Sequence, residues 1–354
     1  MISEAVRTLV EHRDLTRIEA AAAMEAIMSG AATNAQIAAF LTALRMKGET
    51  VEELIGFAQV MRQKAVRVRT RSTEGSASLT GTDREMLIDT CGTGGDASGT
   101  FNVSTATAFV VAGAGLKVAK HGNRSNSSLC GSADVVEALG VSLELTPQQV
   151  ARCVDEIGIG FLYAPLLHTA MKHVMAARRE MGIRTVFNLL GPLTNPASAN
   201  AQVIGVAAAS LTEPLARVLA ELGTLRAFVV HGADGLDEIS NTGESRLSEV
   251  REGVVRSFTV QPEDFGLPRA TMSDLKGGDR QQNAQIIREV LAREAGPRRD
   301  IVLMNASAAL VAGGRAKELK EGVELAAQSI DSGASRERLE RLVAYSQKLA
   351  ADKN

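Results

Sequence analysis

Apolar residues recur at helical spacing through the opening of the chain. In Ile18-Glu19-Ala20-Ala21-Ala22-Ala23-Met24-Glu25-Ala26-Ile27-Met28 they form a helix that Gly30 stops; Asn34 reads as the cap of a second helix through Leu44, and Thr50 as the cap of a third through Val66. No strand pattern interrupts them, so residues 1–70 are expected to form a small all-helical domain. The stretch Arg71–Ser78 is polar and aperiodic, which predicts a linker. From Met86 the pattern changes. Short apolar runs at 86–90, 116–119, 159–163, 201–208 and 226–231 alternate with helical segments at 104–114, 132–139 and 146–157. That alternation predicts an α/β domain, 84–354, with a mainly parallel central sheet. The turn-rich stretch 240–270 suggests a hairpin excursion, and 279–350 reads as helices around one more strand at Asp300 to Asn305.

Composition narrows the function more than the fold. With 354 residues the chain can bury a large core, while 39 basic against 41 acidic residues leave a formal charge of −2. No global field therefore invites nucleic acid or an acidic membrane surface, and any anion site must be local. Cys91, Cys130 and Cys153 form no C-x-x-C pair and no apolar signal segment opens the chain, so a cytoplasmic location is expected. Apolar runs such as Thr107 to Gly115 fall far short of the roughly 20 residues a membrane span needs. Aromatic residues at 3% leave no stacking platform for single strands.

Candidate chemistry sits at the ends of the first two predicted strands. Asp89-Thr90-Cys91-Gly92-Thr93-Gly94-Gly95-Asp96 and Lys120-His121-Gly122-Asn123-Arg124-Ser125 have the spacing of successive strand-to-helix turns. A glycine cluster lets backbone N–H groups close on phosphate oxygens, and the following helix adds its positive N-terminus. Asn102-Val103-Ser104-Thr105 then places three polar side chains where that helix begins, as caps or as ligands for phosphate and metal. Neither G-x-x-x-x-G-K-[ST] nor G-x-G-x-x-G is present, which disfavours ATP and NAD and favours a phosphorylated sugar. Lys120 and Arg124 are expected to face the ligand at the strand's C-terminal edge, with His121 in a shaping role. Asp237-Glu238, after a later strand, supplies adjacent carboxylates that can hold Mg²⁺ on a polyphosphate. The basic side of a helix expected from Leu167 to Met181, with Lys172, His173, Arg178 and Arg179, reads mainly as a solvated face. Phe187-Asn188-Leu189-Leu190-Gly191-Pro192-Leu193-Thr194-Asn195-Pro196 is too rich in Gly, Pro and Asn for a helix, and reads as a functional loop or a rigid crossover.

Together these segments closely resemble the anthranilate phosphoribosyltransferase family over nearly the whole chain. The most specific parts are Cys91–Asp96, Lys120–Ser125, Gly131-Ser132-Ala133-Asp134 and Val186–Pro196. The resemblance implies a nucleoside phosphorylase/phosphoribosyltransferase-like fold in which residues of about 165–183 join the helical domain in space. It implies transfer of phosphoribosyl from phosphoribosyl pyrophosphate to anthranilate in tryptophan biosynthesis, Mg²⁺ as cofactor, a homodimer, and neither nucleic acid nor membrane as partner. Carried onto matching positions, it assigns phosphoribosyl pyrophosphate to Gly92, Gly95, Asp96, Thr100, Asn102, Val103, Ser104, Thr105, Lys120, His121, Gly122, Asn123, Arg124, Ser125, Asn126, Ser127, Ser128 and Ser132. Gly92, Asn123 and Arg178 would meet anthranilate, and Ser104, Asp237 and Glu238 the metal. Ala97, Cys130 and Thr169 depart from the family's usual residues without removing a side chain assigned to chemistry, and Cys91 reads as a packing residue. No acid or base is assigned, because an aniline-type nitrogen is nucleophilic when neutral.

Two other readings share part of this pattern. A pyrimidine nucleoside phosphorylase would share the architecture, but its lysine-histidine-serine run is replaced here by Lys120-His121-Gly122-Asn123-Arg124. A noncatalytic relative that binds nucleic acid should be strongly basic, whereas this chain is slightly acidic and keeps Asp237, Glu238 and Arg178.

Overall fold

Thr16, Thr33 and Thr50 each begin a helix by reciprocal capping. Each hydroxyl accepts from the N–H three residues on, while Glu19, Gln36 and Glu53 reach back to the threonine's N–H. The computed structural model describes residues 2–71, 85–96, 98–125 and 129–352, so the polar stretch 72–78 and Ala97 lie outside the described residues. Four helices open the chain: α1 (Ile2–Val10), α2 (Arg17–Met28), α3 (Asn34–Lys47) and α4 (Val51–Lys64). Asn34, expected as a cap, is the first helical residue, because Thr33 takes the capping role with its partner Gln36.

Seven strands form one sheet: β1 (Leu87–Gly92), β2 (Lys117–Gly122), β3 (Ile159–Tyr163), β4 (Ala201–Gly205), β5 (Arg226–Gly232), β6 (Ser245–Arg251) and β7 (Val254–Val260). Their order is β3-β2-β1-β4-β5-β6-β7; the first five run parallel and β5-β6-β7 are antiparallel, the hairpin expected near 240–270. The chain steps outward from β1 through β2 to β3, then returns to the other side of β1 as β4. That reversal opens a crevice at the carboxyl ends of β1 and β4, where open α/β sheets bind ligands.

The run Asp300 to Asn305 is not a strand. It lies inside a 16-residue helix, Pro297–Ala312, with every residue from Ile301 to Ala312 buried. A helix apolar on all sides shows no stripe, so its pattern matches that of a buried strand; Pro297 in the first turn is the signal for the helix. The basic helix is also shorter than expected, Lys172–Met181 after a 3₁₀ turn at Thr169–Met171. Phe187–Leu190 adds a single helical turn in a segment expected to have none.

Apolar side chains gather into two cores. One fills the sheet and the helices on 103–113, 132–138, 147–157 and 280–351. The other joins α1–α4 to Val174, Ala177, Phe187, Leu190, Leu193, Ile204 of β4, Val206 just after it and Val229 of β5. The helical bundle is thus packed on the sheet through the 187–193 segment. Arg62 of α4 pins the same joint, donating to the carbonyls of Leu193 at 2.7 Å and Leu222 at 3.2 Å.

Inside the bundle, Glu53 is fully buried and accepts from the N–H groups of Leu15 at 2.9 Å and Thr50 at 2.8 Å and from Lys47 at 3.0 Å. Removing one partner of a buried ion pair strands the other charge, so Glu53→Ala should cost about 3 kcal/mol of folding free energy. Urea unfolding followed by circular dichroism measures this, and a loss below about 1 kcal/mol would contradict the account.

Candidate active site

β1 ends in Gly92, and Gly205 stands beside it on β4. A Cβ on Gly92 would lie 2.5 Å from Asp237 Oδ2, and one on Gly205 would lie 1.6 Å from the Asp237 carbonyl oxygen. Both glycines are therefore required by the acidic pair that closes over them. The Gly94 N–H donates to Asp237 Oδ2 at 3.0 Å, which folds the glycine loop onto the pair. Gly94 and Gly95 adopt positive φ of 62° and 78°, a conformation that side chains disfavour. Beyond them Ser98 donates to Asp96 at 2.6 Å and lies 3.1 Å from Thr100 Oγ1.

The helix after the loop, Val103–Gly113, has no cap from Asn102. Glu238 takes that place from another part of the chain: its Oε1 accepts from the Ser104 N–H at 3.0 Å. A carboxylate there is favoured by the helix dipole. Ser104 Oγ also accepts from Lys120 Nζ at 3.3 Å. Gly92 and Gly95 are exposed, while Asp96, Thr100, Asn102, Ser104, Asp237 and Glu238 are half-buried at one rim. Val103 and Thr105 are buried side chains of that helix, so only their backbone lies at the rim. Two support residues were not legible in sequence. Asp234 accepts from Ser240 and Thr242 and closes the loop that carries the acidic pair. Asn305, in the unforeseen helix, grips Ile239 just after that pair by accepting from its N–H and donating to its carbonyl, both at 2.9 Å.

Lys120 is corrected by the structure. Expected to face the ligand, it is 2% exposed and donates to the Thr90 carbonyl at 2.5 Å. Burial lowers its pKa, and Asp89 and Glu238 oppose that shift. Its charge therefore acts from below the loop. Asp89, also buried, accepts from the His121 N–H at 3.0 Å and from Asn195 at 2.8 Å, which ties β1, β2 and the 187–196 segment together. Burial holds the His121 imidazole down to about 3. The ring is therefore uncharged at ordinary pH and keeps a single ring N–H. His168 packs against it with ring centroids 5.1 Å apart.

The second cradle is held by its own charges. Arg124 pairs with Asp134 at 2.8 Å and Glu137 at 2.9 Å, so its guanidinium is already neutralised. Asp134 also accepts from the N–H groups of Ser125 at 3.2 Å and Gly131 at 2.9 Å. Asn123 is exposed, and its carbonyl accepts from the Ala133 N–H at 3.1 Å. A Cβ on Gly122 would lie 2.2 Å from Ser132 Oγ, so the glycine lets the two ends of this turn meet. Asn126, Ser127 and Ser128 lie outside the described residues.

Arg178 is half-buried, its guanidinium 5.4 Å from the centre of the Phe187 ring, and burial lowers its pKa. It is thus set apart from the solvated face to which the composition of its helix assigned it. Arg184 was not anticipated at all: it donates to the Thr93 carbonyl at 3.5 Å, and a Cβ on Gly95 would lie 1.3 Å from its Nη1. Its position just after the helix-ending Gly182 was the only sequence signal.

Burial and the neighbouring Asp96 push the Asp237 carboxyl up to about 7, and burial pushes Glu238 well up, with Lys120 opposing. Such carboxyls call for a cation. Among the described residues no three His, Cys, Asp or Glu side chains close into a metal cage. Two carboxylates and the Ser104 hydroxyl are the partial oxygen set that Mg²⁺ takes when substrate phosphates complete its shell.

Residues 3–65 match the model of the glycosyl transferase family, helical bundle domain, and residues 84–336 that of the glycosyl transferase family, a/b domain. Anthranilate phosphoribosyltransferase of Symbiobacterium thermophilum is 57% identical over 98% of each chain. That of Geobacter sp. strain M21 is 55% identical over 97% of this chain and 98% of its own. Among solved structures, the Thermus thermophilus enzyme superposes with a TM-score of 0.89 at 43% identity, covering 97% of this chain and 99% of its own. The Saccharomyces cerevisiae enzyme, in complex with PRPP and Mg, gives a TM-score of 0.85 at 28% identity over 98% of each chain.

Asn305→Leu removes the grip on Ile239 at similar volume. It should weaken Mg²⁺ binding in the presence of PRPP by about 10- to 100-fold by titration calorimetry, and unchanged binding would show that the acidic pair needs no such brace.

Proposed function

The chain belongs to the anthranilate phosphoribosyltransferase family, and we propose that the crevice at the carboxyl ends of β1 and β4 is where it carries out that family's reaction. It transfers the phosphoribosyl group of 5-phosphoribosyl 1-pyrophosphate (PRPP) to the amine of anthranilate, giving N-(5-phosphoribosyl)anthranilate and pyrophosphate in L-tryptophan biosynthesis, with Mg²⁺ as cofactor. The observation that carries the assignment of the site is the folding of Asp237 and Glu238 onto the glycine loop and the Ser104 helix start.

In this reading the loop Gly92 to Asp96, Thr100, the Asn102 carboxamide, Ser104 and the backbone of Val103 and Thr105 hold PRPP. The second cradle, His121 to Ser128 with Ser132, completes that site, with Lys120 acting electrostatically from beneath. Ser104, Asp237 and Glu238 would hold Mg²⁺, which when bound offsets the charge of the departing pyrophosphate. Arg178, Gly92 and Asn123 hold anthranilate, the guanidinium pairing with its carboxylate. The neutral amine then forms its bond to ribose C1 as the C1–oxygen bond to pyrophosphate breaks, and the amine's proton passes to the departing pyrophosphate or to solvent. A neutral His121 agrees with a reaction that asks for positioning and electrostatics rather than a strong base.

We assign the helical unit, residues 1–70 joined by about 165–183, a closing motion over the 84–354 unit that brings Arg178 to the sugar. Val174 and Ala177, in the bundle's core, support its inclusion there. The enzyme is read as a cytoplasmic homodimer without nucleic-acid or membrane partners; among the described residues no helix is long and apolar enough to cross a membrane.

Losing a charge-assisted pair in a half-buried site should raise the anthranilate KM of Arg178→Ala roughly 10- to 100-fold while the PRPP KM changes little. Steady-state kinetics with each substrate varied in turn tests this. Equal effects on both constants would remove Arg178 from the anthranilate site.

A further inference from the structure

We propose that Asn283 is a positioning residue for PRPP: its buried carboxamide fixes the orientation of Asn102 and couples the two cradles of the site. The inference rests on the assignment of Asn102 to the PRPP site made above.

Asn283 lies in the first turn of the helix Arg280–Leu291 and is 2% exposed. Both ends of its amide are engaged. Oδ1 accepts from the Gly278 N–H at 2.7 Å, and Nδ2 donates to Asn102 Oδ1 at 3.0 Å. Asn102 stands at the head of the Val103–Gly113 helix without capping it, and spends its amide elsewhere: Nδ2 donates to the Cys130 carbonyl at 3.2 Å. An asparagine that accepts at one end and donates at the other cannot be turned over without breaking both bonds. Among the described residues, one Asn102 N–H and one Oδ1 lone pair then remain for a ligand.

The bonds run in series across the site. Cys130 precedes Gly131 and Ser132 of the second cradle, while Asn102 closes the first. The segment that carries Asn283 is itself laced to the exit of the glycine loop: the Gly277 N–H donates to the Gly99 carbonyl at 2.9 Å, the Phe101 N–H donates to the Leu275 carbonyl at 3.2 Å, and Thr100 pairs with Lys276 as an antiparallel bridge. A Cβ on Gly277 would lie 2.6 Å from Asn283 Oδ1 and 2.7 Å from Phe101 N, so the close approach depends on glycine. Of the bonds of Asn283, the one to Gly278 serves its own loop, while those to Asn102 and to the Cys130 thiol reach the two cradles. Buried amides keep their partners, which makes this arrangement persistent rather than incidental.

Kinetics of Asn283→Ala, Asn102→Ala and the double variant test the proposal, with thermal unfolding of each. Asn283→Ala removes these bonds, and loss of the one to Asn102 should raise its PRPP KM about tenfold, with the anthranilate KM and kcat within about threefold. In the Asn102→Ala background, Asn283→Ala should raise it no further, because the residue it positions is gone. If Asn283→Ala does not fold, Asn283→Asp carries the test: it keeps the acceptor for Gly278 and loses the donor to Asn102, and the same rise is expected. An unchanged PRPP KM, equal rises in both KM values, or a full further rise in the Asn102→Ala background overturns the proposal. Asn102→Ala with a wild-type PRPP KM overturns the site assignment, and the proposal with it.

Discussion

Lys120 lies buried between the Thr90 carbonyl and Ser104, with Asp89 and Glu238 as the charges that keep it there. A buried ammonium costs free energy unless carbonyls and carboxylates surround it, so the strand ends around it have little freedom of arrangement. Asp89 in turn fixes the end of β2 and the 187–196 segment through His121 and Asn195. Glu238 fixes the start of the helix after the glycine loop. The surface proposed to face phosphate is consequently built over a buried charge, and the acidic pair is held against backbone N–H groups.

The same economy explains the glycines. Gly92, Gly205 and Gly277 are each approached by another part of the chain closer than a Cβ permits, whereas Gly94 and Gly95 supply the turn. Internal packing therefore draws on the same residues that are proposed to meet the substrate. Asn305 and Asp234 brace the loop that carries Asp237 and Glu238.

Much of the fold was legible because its signals are local. Threonines with Glu or Gln three residues on mark the starts of α2, α3 and α4, and the alternation after Met86 gave the parallel sheet. The helix Pro297–Ala312 was misread because burial on all sides erases the stripe that distinguishes a helix from a strand. At the site, the motifs located the glycine loop, the second cradle and Asp237-Glu238, since each follows a strand. They could not show that Lys120 is buried or that Arg124 is already paired, because both depend on residues distant in sequence. Arg184, Asn283 and Asn305 carry no motif and are visible only once the chain has folded.

The most direct measurement is the fluorescence of anthranilate in a mixture of the purified chain, PRPP and Mg²⁺, with each component omitted in turn. The account predicts that fluorescence disappears only when all four are present, because the acidic pair is arranged to take a metal together with the polyphosphate. Persistent fluorescence with folded protein, or equal consumption after Mg²⁺ has been chelated, would contradict it.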